Sequence, residues 1–353
     1  MKSPFTGLIQ KFDKAKVFES VNLFADQAQQ AYKETQKLKI KSLASQVDCI
    51  VDAGMGGSAL GAHIIQTACA DKLKAPIIII NDYKLPAWVN SRTLVTLSSY
   101  SGTTEETLAA FKSAKAKKAK MLVICAGGPL AKIARANKTP SYIFNPRANP
   151  SKQPRIGLGY GIFGLLGLWK KVGLLQITET EILSAIQTAR KVGARFNLEK
   201  TTSPIAKLTR QISGKAILVV GAEHLVGAAH VFANQFNETA KSFATWFPIP
   251  ELNHHLMEGL TNPKINIRNT VFLMLNSKAY SPRIQKRMRL TKEVIQKNGP
   301  KVLELSLQSK TKLEQAIEAV VLGSNLTLGL GLQYHINPAA IRWVNYFKQK
   351  LGT

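Results

Sequence analysis

The feature that most constrains the fold is a rhythm of short apolar, β-branched runs. Each closes on a turn of glycines or small hydroxyl residues, and a helix-forming segment follows. Residues 49–53, 76–81, 94–97 and 121–126 are such runs, and 142–144 is a shorter fifth. Runs without polar alternation are buried on both faces, which means strands of a parallel sheet covered by helices on each side. The rhythm resumes at 216–221, 271–275 and 302–305, with helices expected over 222–237, 281–298, 311–330 and 338–351. A chain of 353 residues has room for two such αβ halves, so an internally duplicated, three-layer αβα fold is predicted. The expected division is an N-terminal helical segment over 1–45, a first domain over 46–178 and a second over 179–353.

Two strand-to-helix turns in the first half stand out. One reads Gly54-Met55-Gly56-Gly57-Ser58, and the other Ser99-Tyr100-Ser101-Gly102-Thr103-Thr104-Glu105-Glu106-Thr107. The start of a helix offers unpaired N–H groups and a positive dipole end, so short hydroxyl side chains there either cap the helix or hold an anion. The capping reading takes Ser101 or Thr103 as the cap, with Glu105 or Glu106 in the first turn. The glycines match neither a P-loop, since no GK[ST] follows, nor a dinucleotide turn with its acidic ribose-binder. Two such turns one βαβ unit apart favour a phosphomonoester held by amides and hydroxyls. The second half has no comparable Ser/Thr-rich turn, so one phosphate site per chain is expected.

The balance of 48 basic to 21 acidic residues gives a formal charge of +27. Such an excess suits acidic partners. The lysines, however, are spread over helical faces rather than gathered in a tail, and no zinc-finger or RRM-like pattern accompanies them. A specific nucleic-acid partner is therefore not expected. The three cysteines, Cys49, Cys69 and Cys125, sit in apolar contexts without CxxC spacing, as buried thiols of a reducing cytoplasm would. The N-terminus has no apolar signal region, and the glycine-rich apolar stretch 156–169 is short for a membrane span, so it reads as a buried helix.

The second half supplies the candidate acid–base groups. Glu238, in Asn237-Glu238-Thr239-Ala240-Lys241, sits where a helix runs out; taken alone it reads as a surface carboxylate. Residues 246–255, Trp-Phe-Pro-Ile-Pro-Glu-Leu-Asn-His-His, read as an aromatic, proline-rich loop carrying two histidines. Adjacent histidines point apart and make a poor metal chelate, so a proton-transfer or hydrogen-bonding role suits one of them better.

Together, the two turns, the Asn237-Glu238 element and Pro250-Glu251-Leu252-Asn253-His254 resemble the signature of the bifunctional phosphoglucose/phosphomannose isomerases. That family is built from two sugar-isomerase (SIS) domains, each a three-layer αβα unit with a mainly parallel sheet. The likeness runs from Phe12-Asp13 to Phe347-Lys348. It implies that Gly56, Gly57, Ser58, Ser99, Ser101 and Thr104 hold the sugar phosphate, and that Arg155 lies beside C1 and C2. It further implies that Glu238 moves the proton between those carbons. His254, donated by the partner subunit of a homodimer, and Lys348 open the sugar ring, with Lys350 close enough to compete for that last role. The chemistry is consistent: one carboxylate on one face of a cis-enediol suffices for aldose–ketose isomerisation, without a metal or other cofactor. Arg155 supplies the positive charge that an enediolate needs. Burial among Phe236, Phe243 and Trp246 would raise the basicity of Glu238 against the lowering effect of that cation.

Two departures from the family pattern matter. Asn253-His254-His255-Leu256 stands where the family continues Asn-His-Asn-Glu, and no threonine lies between Asn337 and Lys348, where the family often carries one tied to mannose phosphate. Glucose 6-phosphate to fructose 6-phosphate isomerisation is therefore expected ahead of action on mannose 6-phosphate. The other readings of the chain are a non-catalytic SIS sensor of sugar phosphates and an aminosugar-phosphate isomerase. A sensor would need only the phosphate turns, and no helix-turn-helix segment accompanies them.

Overall fold

The computed structural model describes residues 3–352, which form two compact units. The first gathers residues 23–66, 70–186 and 340–352; the second gathers 3–22, 67–69 and 187–339.

The first unit holds a parallel five-stranded sheet: β1 (Cys49–Gly54), β2 (Ile77–Ile80), β3 (Thr93–Ser98), β4 (Lys120–Cys125) and β5 (Ser141–Ile143), in the order β2-β1-β3-β4-β5. The expected runs are all strands, their ends moved by a residue or two. Val51, Ala53, Val95, Leu97 and Val123 face one way, into a core closed by Phe111 and Leu130 from helices Glu105–Ala116 and Gly128–Ala136. Alternate residues point to the opposite face. There the indole N–H of Trp169, from the buried helix Leu158–Lys171, donates to the Thr96 hydroxyl at 3.0 Å. The apolar stretch read as a buried helix is one. Near the N-terminus, helix ends at Gln36 rather than continuing to residue 45.

The second unit repeats the wiring with four parallel strands, β6 (Ala216–Ala222), β7 (Ala244–Ile249), β8 (Thr270–Asn276) and β9 (Lys301–Ser306), in the order β7-β6-β8-β9. In each sheet the first strand is flanked by the second and third, and the fourth lies beyond the third. Strand β7 corrects the reading of 246–255 as a loop. It is an edge strand, half-buried over Thr245–Pro248, and edges are where a sheet tolerates proline, so neither apolar alternation nor a fully apolar run marked it. The unit's central helix, Lys312–Gln333, is buried along 313–332. Thr311 and Glu314 form a capping box that fixes its start.

The duplication extends to the turns. A 3₁₀ turn leaves β1 at Gly56, with φ 49°, and another leaves β6 at Glu223, with φ 44°. Glycine adopts that left-handed conformation freely, whereas glutamate does so under strain. The second copy therefore keeps the backbone of the first with a carboxylate at the glycine position.

Candidate active site

In the first unit the two turns meet at the carboxyl ends of β1 and β3, where Gly54 and Ser98 pair across the sheet. The Ser58 hydroxyl accepts from the Tyr100 N–H at 2.9 Å, which ties one turn to the other. Ser99 is only 1% exposed. Its hydroxyl takes the Gly102 N–H at 3.1 Å and pairs with Thr104 at 2.9 Å, so it braces the turn from inside. Ser101 is exposed and pairs with Thr103 at 2.8 Å. A side chain at Gly102 (φ 70°) would lie 1.9 Å from the Gly127 carbonyl oxygen, so only glycine fits.

The cap itself differs from the sequence reading. The N-cap of helix Glu105–Ala116 is Thr104, not Ser101 or Thr103, and its hydroxyl does not cap the helix amides. Ser99 holds that hydroxyl instead, and Ser101 and Thr103 hold each other. With no cap side chain on the first-turn amides, the helix start keeps the donors and dipole end that suit an anion.

Arg155 joins this group. It is 2% exposed, sits in the 3₁₀ turn Pro154–Ile156, and its Nη1 donates to Gln153 at 3.1 Å. Its main chain lies against Gly57, where a Cβ would come within 3.0 Å of the Arg155 Cα. Tyr100 secures that approach: its hydroxyl accepts from Asn149 Nδ2 at 2.7 Å, and the same amide donates to the Gln153 carbonyl at 3.0 Å. Burial pushes the Tyr100 phenol up to about 12, so it stays protonated.

Beneath the turns lies Asp52 of β1, with no exposed surface. Ser98 donates to its Oδ1 at 2.6 Å, while Oδ2 has no hydrogen-bond partner among the described residues. Burial raises the carboxyl to about 7, against the opposing pull of the Ser98 hydrogen bond.

Glu238 belongs to the second unit. The helix Val226–Gln235 continues into a π-helical turn, Phe236–Ala240, which carries Glu238 half-buried at its middle. Such single wide turns cluster at functional sites. Lys241, in the left-handed region, ends the turn and donates from Nζ to the Glu238 and Pro338 carbonyls, both at 2.9 Å. Asn237 binds the start of β7 in both directions, accepting from Ala244 N–H at 3.0 Å and donating to its carbonyl at 2.8 Å. Phe236 is buried, but Phe243 is 74% exposed, so the expected three-ring surround of Glu238 is incomplete.

His254 lies exposed on the short helix Leu252–His255. The helix is pinned through its neighbour Asn253, which donates to Thr291 Oγ1 at 2.7 Å and accepts from Arg287 at 3.0 Å. Lys348 is in the first unit, exposed on helix Arg342–Leu351; Lys350, on the same helix, stands over the Tyr346 ring at 5.9 Å. The first unit thus brings together the two turns and Arg155, and Glu238 and His254 occupy separate elements of the second.

Sequence reasoning passed over Asp52, Tyr100 and Asn149. Tyr100 carried a signal, being the one large side chain between two serines of the turn. Asp52 was the single acid in an otherwise apolar strand.

Comparison with known proteins gives a consistent result. Residues 201–351 match the family described as bacterial phospho-glucose isomerase C-terminal SIS domain. The chain is 32% identical over 343 residues to a bifunctional phosphoglucose/phosphomannose isomerase of Caldicellulosiruptor bescii, covering 95% of this chain and 99% of that one. It is 27% identical over 303 residues to the protein of that name from Aquifex aeolicus, with 86% and 90% covered. Among solved structures, a hypothetical protein of Thermus thermophilus superposes with a TM-score of 0.72 at 17% identity, over 98% of this chain and 92% of that one, a likeness of fold.

Proposed function

The chain belongs to the family of bifunctional phosphoglucose/phosphomannose isomerases, and from that premise we propose that it interconverts glucose 6-phosphate and fructose 6-phosphate, with mannose 6-phosphate as a further substrate. The observation that carries this reading is the pair of turns at the ends of β1 and β3. There the hydroxyls of Ser58, Ser101 and Thr104, the glycines Gly56 and Gly57 and the start of helix Glu105–Ala116 are the groups that would cradle the phosphate.

In the proposed reaction the sugar opens first, His254 and Lys348 exchanging the proton between the ring oxygen and O1. The Glu238 carboxylate then takes the proton from C2 of the open aldose, and the C1 carbonyl becomes the enediolate. Arg155 stabilises the negative oxygen as it develops. A proton passes from O2 to O1, and return of the carbon-bound proton to C1 completes the ketose, so no redox partner enters the balance. The half-buried place of Glu238 on a π turn, tethered by Lys241 and Asn237, supports a fixed base. The exposure of His254 on a pinned helix supports its donation to a second copy in a homodimer. Cys49, Cys69 and Cys125 form no disulfide among the described residues, which suits a reducing, cytoplasmic setting.

A coupled assay with glucose, fructose and mannose 6-phosphates tests the proposal. Turnover of the first two is expected, and its loss in Glu238→Gln with binding of inorganic phosphate retained. Wild-type turnover in Glu238→Gln overturns the assignment of the base.

A further inference from the structure

At the carboxyl ends of β8 and β9 the second unit opens a cavity of about 410 Å³, within the size range of small-molecule sites. Ligands of open parallel sheets bind outside the carboxyl ends of the strands, at the switch point of strand order, here between β6 and β8 and one strand from this cavity. On one side of the turn that follows β8, the Glu223 carboxylate already occupies Ser281. The cavity opens on the other side, beside Lys278.

Its charge is unbalanced. Glu304 pairs with Lys292, and its second oxygen accepts from Asn276 Nδ2 at 2.6 Å, so that acid is neutralised. Glu293, one turn beyond Arg289, pairs with Lys297 at 2.8 Å. Lys278 and Arg289 remain; neither side chain makes a hydrogen bond or ion pair among the described residues. Arg289 also attracts the Glu293 carboxylate, which Lys297 already pairs; two cations without a hydrogen-bonded partner thus line one cavity and match two negative charges.

The wall that carries Lys278 is rigid before any ligand arrives. Gln285 donates to the Lys278 and Tyr280 carbonyls at 3.2 and 2.8 Å. The Ser277 hydroxyl donates to Gln315 at 2.6 Å and accepts from the Ala279 N–H at 2.8 Å. The Tyr280 hydroxyl donates to the Leu275 carbonyl at 2.8 Å. Preorganisation of this kind lowers the cost of binding. Buried Met288 and Tyr280 give the cavity an apolar floor against which a carbon skeleton can rest.

We propose that this cavity is a second anion site, taking a phosphomonoester dianion between Lys278 and Arg289. The site shares no residue with the proposed phosphate cradle and uses side-chain cations in place of amides and hydroxyls, so it stands apart from that reading.

Equilibrium dialysis of the full chain with labelled inorganic phosphate at low ionic strength tests it. The wild type is expected to bind two phosphates per chain. The double variant Lys278→Gln/Arg289→Gln should bind one and keep its isomerase activity. The cradle variant Ser101→Ala/Thr104→Val should also bind one. One phosphate in the wild type, lost with Lys278 and Arg289 but kept in the cradle variant, supports this site and counts against the cradle. Unchanged stoichiometry in Lys278→Gln/Arg289→Gln, or no binding by the wild type, overturns the proposal.

Discussion

The Glu223 carboxylate accepts from both the main chain and the side chain of Ser281: the N–H lies 3.2 Å from each oxygen and the hydroxyl 2.6 Å from Oε1. Ser281 is the N-cap of helix Pro282–Lys297 and caps it with no side-chain bond of its own, so the anion at this helix start is an internal one. The corresponding position after β1 is Gly56, and the corresponding helix start there has no such carboxylate laid on its cap.

Two substitutions at 223 separate the contributions. Glu223→Ala removes charge-assisted hydrogen bonds and a favourable dipole contact but keeps the left-handed backbone, and should cost about 1–2 kcal/mol. Glu223→Gly loses the same bonds and relieves the strain, and should be more stable than the Ala variant by about 1 kcal/mol. Denaturant midpoints at constant slope measure both; equal midpoints would remove strain from the account.

The hydroxyls of Ser101, exposed, and Thr104, half-buried against Ser99, should act on binding more than on chemistry. In Ser101→Ala and Thr104→Val, loss of a hydrogen bond to a charged phosphate, about 1.5–3 kcal/mol, should raise KM roughly 10- to 100-fold with kcat little changed. Steady-state kinetics with fructose 6-phosphate read this directly, and a fall in kcat with KM constant would contradict it.

Removing the proposed base has the opposite signature. Glu238→Gln is expected to lower kcat by at least about 10²–10⁴-fold. The dissociation constant of inorganic phosphate should stay within about two-fold, because the two effects belong to different residues. Circular dichroism controls for folding.

Asp52 makes stability depend on pH. Its folded carboxyl titrates at about 7 and its unfolded one near 3.8. Between those values the folded state holds the extra proton, so stability falls as pH rises from about 4 to 7 and then levels. The drop attributable to this one group is at most about 4 kcal/mol. Asp52→Asn, a neutral isostere, should flatten that slope in melting curves taken from pH 5 to 8. A wild-type slope surviving in Asp52→Asn would assign it to other groups.

The Tyr100–Asn149 bond positions Arg155 rather than the substrate. Tyr100→Phe should weaken turnover through a looser 149–157 segment, and Asn149→Ala should do the same without an added effect when the two are combined. A double-mutant cycle on kcat/KM measures that coupling, and additive losses would break the link.

Much of this was legible in the amino-acid sequence because it is local. Largely apolar runs marked every strand but β7, and the glycine and hydroxyl turns marked the carboxyl ends of β1 and β3. Strand β7 escaped because an edge strand is half solvated and Pro248 sits in it. The cap was misassigned to Ser101 or Thr103 because which hydroxyl faces the helix depends on the buried Ser99, whose position no spacing rule supplies. Asp52 with Ser98, Tyr100 with Asn149 and Glu223 with Ser281 are partners 46, 49 and 58 residues apart, joined only by the folded topology.

The wide turn at 236–240 holds one residue more than an α-helix of the same span would need. Shortening the chain by the position just before Glu238 would let the segment wind regularly and turn that residue by about 100° around the axis. A one-codon deletion next to Glu238 would thus be a harsher lesion than most replacements of its neighbours. It would leave the carboxylate intact but aimed elsewhere, a loss of direction rather than of chemistry.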